Sequence, residues 1–321
     1  MAETLYPVEF MPPDISAYRQ GNTGVEYVTC FDSGRAGPHV MISAVVHGNE
    51  LCGAVALDWL FTLKLRPRLG KLSLAFMNVA AYERFDEQQP AASRYVDEDF
   101  NRLWSREVLD GGRDSCELRR ARQVRPLLDA VDVLLDIHSM QQSSTPLCLC
   151  GPLEKGRKLA LALGSPAHVV ADEGHAAGTR MRDYGAFADP ASGKCSLLVE
   201  CGQHWNRASV AVARDQCVRF LDSQGMLDPE FVQEHLDTRF NADQKIIEVT
   251  AAVTIKTDAF RFTQDFNGLE VLPEADTLIG FDGDEEVRTP YDNCVLIMPS
   301  LRKRKGESAV RLGCYVNVPA I

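Results

Sequence analysis

Through its first two thirds the chain alternates short apolar runs with longer stretches of helix-forming residues. Val40–Val46, Leu72–Val79, Val131–Ile137, Leu147–Cys150 and Ser196–Glu200 are apolar runs of strand length. Between them, Leu51–Leu65, Glu117–Ala130, Lys155–Leu163 and Asn206–Ser223 predict helices. Such alternation predicts an α/β layer fold with a largely buried sheet. Near Gly225–Pro229 the pattern changes. Ile246–Thr257, Ala259–Phe266 and Cys294–Met298 read as short strands, with turns such as Asp282-Gly283-Asp284 between them. Residues 1–229 are therefore expected to form an α/β domain, and residues 230–321 a smaller all-β domain.

Composition narrows the partners. With 45% hydrophobic and 25% charged residues over 321 positions, the chain has the make-up of an ordinary globular protein. A formal net charge of -11 argues against nucleic acid or an anionic membrane as partner. No apolar stretch approaches the roughly 18 residues needed to span a bilayer. Met1–Tyr18 lacks an apolar core segment, which predicts no export signal and a cytoplasmic location. The ten cysteines are scattered without any CxxC, so they read as reduced, mostly buried small hydrophobes. Cys148-Leu149-Cys150 fits an alternating strand better than half a metal site. The basic run Arg302–Lys305 reads as a solvated loop.

Chemistry concentrates at strand ends. His47-Gly48-Asn49-Glu50 follows the first buried run and precedes the first predicted helix. A His and a Glu three residues apart at such a turn can grip one ion, and zinc favours this pair with a distant third ligand. His138-Ser139, at the end of the Val131–Ile137 run, supplies the candidate. A lone HxxE arises often by chance, so two further constellations matter. Arg94-Tyr95-Val96-Asp97-Glu98-Asp99-Phe100-Asn101-Arg102 packs two arginines, an amide and three carboxylates into nine residues. A solvated loop accounts for Asp97 and Glu98. Ser196–Glu200 runs an apolar strand into a carboxylate followed by Cys201-Gly202, an arrangement that delivers Glu200 to a cleft. His204 follows closely and reads equally as a cleft or a structural residue.

Together these motifs resemble the succinylglutamate desuccinylase/aspartoacylase family of zinc carboxypeptidase-like hydrolases. HGNE at 47–50, RYVDEDFNR at 94–102, DIHS at 136–139 and LLVECG at 197–202 carry the resemblance, in the family's order. It implies a mixed-sheet α/β catalytic domain with a β-rich C-terminal domain leaning over the cleft. One zinc per chain would be bound by His47, Glu50 and His138, and Glu200 would be general base and acid toward zinc-bound water. Arg94 would polarise the scissile carbonyl, while Asn101 and Arg102 would hold a substrate carboxylate. Asp99 would fix a zinc histidine. The family's arginine ahead of the catalytic Glu corresponds to Arg180 or Arg182, and its C-terminal tyrosine to Tyr291. The implied substrate is a small anionic N-acyl amino acid, cleaved at its amide bond. Two rival readings stand beside it: a zinc carboxypeptidase acting on peptide C-termini, and a non-catalytic binding module of the same fold.

Overall fold

Continuous apolar runs become strands covered on both faces, and they form the centre of the molecule. The computed structural model describes residues 6–174, 177–300 and 304–317. In chain order the strands are β1 (Val28–Asp32), β2 (His39–Ala44), β3 (Lys71–Phe76), β4 (Val133–Met140), β5 (Leu147–Leu149), β6 (His168–Ala171) and β7 (Cys195–Gln203). They continue with β8 (Lys245–Thr254), β9 (Arg261–Phe262), β10 (Glu270–Leu272), β11 (Leu278–Asp282), β12 (Glu285–Arg288), β13 (Cys294–Ile297) and β14 (Ser308–Val316). The helices are α1 (Leu51–Thr62), α2 (Val79–Tyr82), α3 (Arg106–Leu109), α4 (Cys116–Ala130), α5 (Glu154–Ala162), α6 (Arg207–Ser223) and α7 (Pro229–His235).

Eleven strands form one mixed sheet in the order β1-β3-β2-β4-β7-β5-β6-β8-β14-β13-β10, and β12-β11-β9 form a small second sheet. The parallel core β3-β2-β4-β7 is flanked by antiparallel β1 and β5. Alternate residues of one strand serve opposite faces. Val40, Ile42 and Ala44 of β2 pack with Leu57 and Leu60 of α1 and Val218 and Leu221 of α6. Met41 and Leu134 pack the other way, with Val124 and Leu128 of α4 and with Trp104. Each fully buried Val, Leu, Ile or Met among them contributes about 1.5–3 kcal/mol relative to an exposed one. Gly53 lets α1 lie close on the sheet: a Cβ there would come within 2.8 Å of the Ala44 Cβ. Placing any larger side chain at 53 forces the helix off β2.

The C-terminal region differs in two ways from what its pattern predicts. Helix α7 straddles the expected boundary, because Pro229 occupies the first helical turn, where a missing N–H costs nothing, instead of breaking the chain. From Lys245 onward the described residues hold only strands, turns and loops, yet β8 pairs in parallel with β6. The C-terminal strands thereby extend the same large sheet. Of the strand expected over 259–266, only Arg261–Phe262 pairs, against β11. No helix among the described residues is long and apolar enough to cross a membrane. All ten cysteines are free thiols. Arg302 and Lys303 of the basic run lie outside the described residues, and Arg304 reaches the Tyr95 hydroxyl at 3.2 Å.

Candidate active site

The strand β2 ends at Ala44, and His47–Glu50 fills the turn into α1. The turn is pressed against the segment around residue 94: Gly48 N donates to the Arg94 carbonyl at 3.0 Å. A Cβ on Gly48 would lie 2.4 Å from the Ser93 carbonyl oxygen, so only glycine fits. Glu50 occupies the cap position of α1 but caps nothing. Its carboxylate instead faces His47 Nδ1 at 2.6 Å and His138 Nδ1 at 2.9 Å, and accepts from Ser139 N at 3.1 Å. The far nitrogens are also held: His47 Nε2 lies 3.0 Å from Asp99 Oδ1, and His138 Nε2 lies 2.8 Å from Asp136 Oδ2.

All three side chains are buried, and their candidate ligand atoms lie within 4.8 Å of one another. Two imidazoles and a carboxylate form a donor set that zinc accepts, and carboxylates on the far nitrogens orient the rings toward a common point. The site attracts positive charge. Burial lowers the His138 imidazole's hold on a proton, but Asp136 and Glu50 outweigh it and raise its pKa well above the ordinary value. Burial also works to raise Glu50, yet His47 and His138 hold its carboxyl well below the usual range. The residues present therefore fit a divalent cation.

Glu200 is the register partner of His138 across β4 and β7. It is buried, and its Oε2 has no hydrogen-bond partner. Burial, then the Glu50 charge, push its carboxyl up to about 8. A cation held between Glu50 and His138 acts in the opposite direction. The cleft at these residues has a volume of about 260 Å³.

The 94–102 segment curls over one wall of this cleft. Arg94 spans Asp99 at 3.0 Å and Glu50 at 3.5 Å. Asp99 also accepts from Asn101 N at 2.9 Å, and Asn101 Oδ1 accepts from Met181 N at 2.8 Å. Burial works to raise the Asp99 carboxyl, but Arg94 and His47 hold it well below its usual range. Arg102 lines the cleft and donates to the Asn101 carbonyl at 2.7 Å. Its pKa is lowered by burial, with Arg94 and Arg180 adding repulsion against Asp99. Crowded cations beside a cleft favour an anionic visitor.

The remaining sequence-based candidates separate. Arg180 lines the cleft, but its guanidinium is engaged by Asp172 at 2.7 and 2.9 Å and by Asp183 at 2.7 Å. Arg182 donates to the Cys150 carbonyl at 3.0 Å and pairs with Asp183, and it is not among the described residues lining the cleft. Tyr291 is likewise not among them; its hydroxyl meets Thr250 Oγ1 at 2.5 Å. His204 does line the cleft, with Nδ1 2.8 Å from Ser139 Oγ. Sequence reasoning missed Asp136 and Arg311. The first carried a signal, since residues two apart on a strand share a face. Arg311 of β14 lines the cleft, buried 3.6 Å from Asp172. Its signal is a single charge inside the apolar run Ala309–Leu312.

An α/β architecture, with a cation-attracting cleft at the C-terminal ends of parallel strands, is what fold and site define. More narrowly, residues 36–221 match the family model of the succinylglutamate desuccinylase/aspartoacylase catalytic domain, and the chain belongs to that family. A probable aspartoacylase of Parasynechococcus marenigrum is 28% identical over 174 residues, 51% of this chain and 52% of the relative. An N-acyl-aromatic-L-amino acid amidohydrolase (carboxylate-forming) of Xenopus laevis is 30% identical over 135 residues, 39% of this chain and 41% of the relative. The chain thus spans about half the length, or less, of these curated relatives. The structure of succinylglutamate desuccinylase from Vibrio parahaemolyticus superposes with a TM-score of 0.67 at 15% identity, covering 91% of this chain and 87% of the other. That likeness extends the shared fold beyond the residues matched by the family model.

Proposed function

We propose that the protein is a zinc-dependent hydrolase cleaving the amide bond of a small N-acyl amino acid. The observation that carries this reading is the convergence of His47, Glu50 and His138, each imidazole held from behind by a carboxylate, beside the buried Glu200. His47, Glu50 and His138 would hold one zinc per chain, which would supply Lewis acidity to a carbonyl oxygen and to water. Glu200 accepts a proton from the attacking water and returns it to the departing amine. Its unpartnered Oε2 is available for both transfers. Arg94 meets the negative charge that develops on the carbonyl oxygen, where loss of one such donor typically costs about 3–4 kcal/mol.

Arg102, beside Asn101, receives the carboxylate of the amino-acid half, because a guanidinium presents a planar fork to it. Arg180 adds positive field from the cleft wall while Asp172 and Asp183 hold it in place. Met298, Ser300 and Arg311, from the C-terminal strands and their connections, also line the cleft. A cleft of about 260 Å³, with these residues on its wall, suits a short substrate better than an extended peptide. The test is a panel of short N-acyl amino acids, their amides and peptides, scored by released amine. Release from N-acyl amino acids, abolished by a chelator and restored by zinc, is expected. Release from peptide C-termini alone contradicts the proposal.

A further inference from the structure

The structure assigns Glu117 the role of a positioning residue that holds the 94–102 segment in register with the metal-binding turn. Glu117 lies in the first turn of α4 and is fully buried. Its carboxylate does not cap its own helix, a task performed by Ser115 Oγ, which accepts from Leu118 N. Instead it gathers four donors. Oε1 accepts from Val96 N at 2.7 Å and from Asn78 Nδ2 at 3.2 Å, while Oε2 accepts from Asp97 N at 3.1 Å and Glu98 N at 3.3 Å. Three consecutive backbone amides converging on one carboxylate fix the turn between Arg94 and Asp99. Asp97 returns the contact by accepting from Cys116 N at 2.7 Å.

The fourth donor ties this turn to the sheet. Asn78 follows β3, and its backbone N–H donates to the Val45 carbonyl at 3.0 Å, two residues before His47. Glu117 therefore links helix α4, the end of the parallel sheet and the loop bearing Arg94, Asp99, Asn101 and Arg102. On the far side of the same loop, Asp99 meets His47 and Arg94 reaches Glu50. A shift of the 96–98 turn is transmitted to the orientation of His47 and to the Arg94 guanidinium, with no contact between Glu117 and substrate. Misplacement by about 1 Å from a remote change can cost about 10²-fold in rate.

This inference rests on the proposed function, and Glu117→Gln tests it in the intact 321-residue chain. The variant keeps the shape but turns an amide NH₂ toward backbone N–H groups, so at least one acceptor is lost. Zinc affinity by chelator competition and kcat/KM are measured well below the melting temperature. The control is Ser115→Ala, which removes the cap of the same helix while leaving the four-donor cluster intact. For Glu117→Gln, zinc affinity is expected to fall about 10-fold or more, the scale of a lost orienting partner, with kcat/KM down by about 10²-fold. Ser115→Ala should lower the melting temperature but leave both readouts near wild type. Should Glu117→Gln fail to fold, Glu117→Asp, which keeps the charge and shortens the reach, is compared in the same way. Equal losses in the Glu117 and Ser115 variants, or wild-type zinc affinity in the Glu117 variant, overturn the assignment. Absence of zinc binding in the wild type would instead overturn the proposed function.

Discussion

Asp136 and His138 stand two residues apart on β4 and share a face, with Asp136 Oδ2 2.8 Å from His138 Nε2. Ser43, the register neighbour of Asp136 on β2, donates to the other carboxylate oxygen at 2.7 Å. The period of a strand thus supplies the metal site with a histidine and its orienting carboxylate in one motif. Replacing Asp136 by Asn should weaken zinc binding about 10–100-fold, read by chelator competition. Unchanged affinity would show that the ring is oriented by packing alone.

Arg102 should govern recognition of the substrate carboxylate. A charge-assisted hydrogen bond contributes about 1.5–3 kcal/mol, which is about 10–100-fold in kcat/KM at ~1.4 kcal/mol per decade. Arg102→Ala is expected to lose that factor on an N-acyl amino acid and almost nothing on the corresponding amide. Equal losses on both substrates would place the carboxylate elsewhere.

The pair Arg180–Asp172 should matter for stability. Both side chains are about 1% exposed and meet at 2.7 Å. Removing one partner of such a buried pair typically costs about 3–5 kcal/mol, so Asp172→Asn should lower unfolding free energy on that scale. Burial works to raise the Asp172 carboxyl, but Arg180 outweighs it and holds the carboxyl below the usual range. A depressed folded pKa contributes stability above the unfolded value of about 3.9, and that stability is lost as pH falls below it. Urea unfolding from pH 7 to pH 3 should therefore show the gap between wild type and Asp172→Asn narrowing below about pH 4. A gap that stays constant would remove the ion pair from the account.

Tyr291 is expected to be dispensable for turnover. Its hydroxyl meets Thr250, and its ring packs with the C-terminal core residues Leu272, Ile279 and Cys294. Tyr291→Phe should leave kcat and KM within about two-fold of wild type, as for changes away from a functional feature. A large rise in KM would return Tyr291 to the substrate site.

Much of this arrangement was legible in the chain, and the omissions have physical causes. The strands bearing His138 and Glu200 are buried along all or nearly all their length, so their apolar runs stand out without alternation, and Glu50 lies in the turn after a third run. The parallel core and its helices follow from the same contrast. The segment after the basic run is strand-like, but Arg311 and Gly313 interrupt its apolar pattern, so neither the bounds of β14 nor the arginine it brings to the cleft could be read. Arg180 and Arg182 could not be separated, since only packing shows one at the cleft wall and the other turned to the Cys150 carbonyl. Glu117 reads as an ordinary acidic residue in a first helical turn. Its four donors come from positions 78 and 96–98, distances along the chain that no local pattern encodes.

Proton transfer in the proposed reaction depends on Glu200. Glu200→Gln is nearly isosteric and removes the proton acceptor without touching His47, Glu50 or His138. Zinc content and turnover of this variant, measured on the same preparation against wild type, separate a proton acceptor from a metal ligand. Wild-type zinc content is expected, with turnover reduced by at least about 10²-fold, the contribution of a general base. Turnover within a few-fold of wild type, or loss of the metal along with activity, would contradict that role.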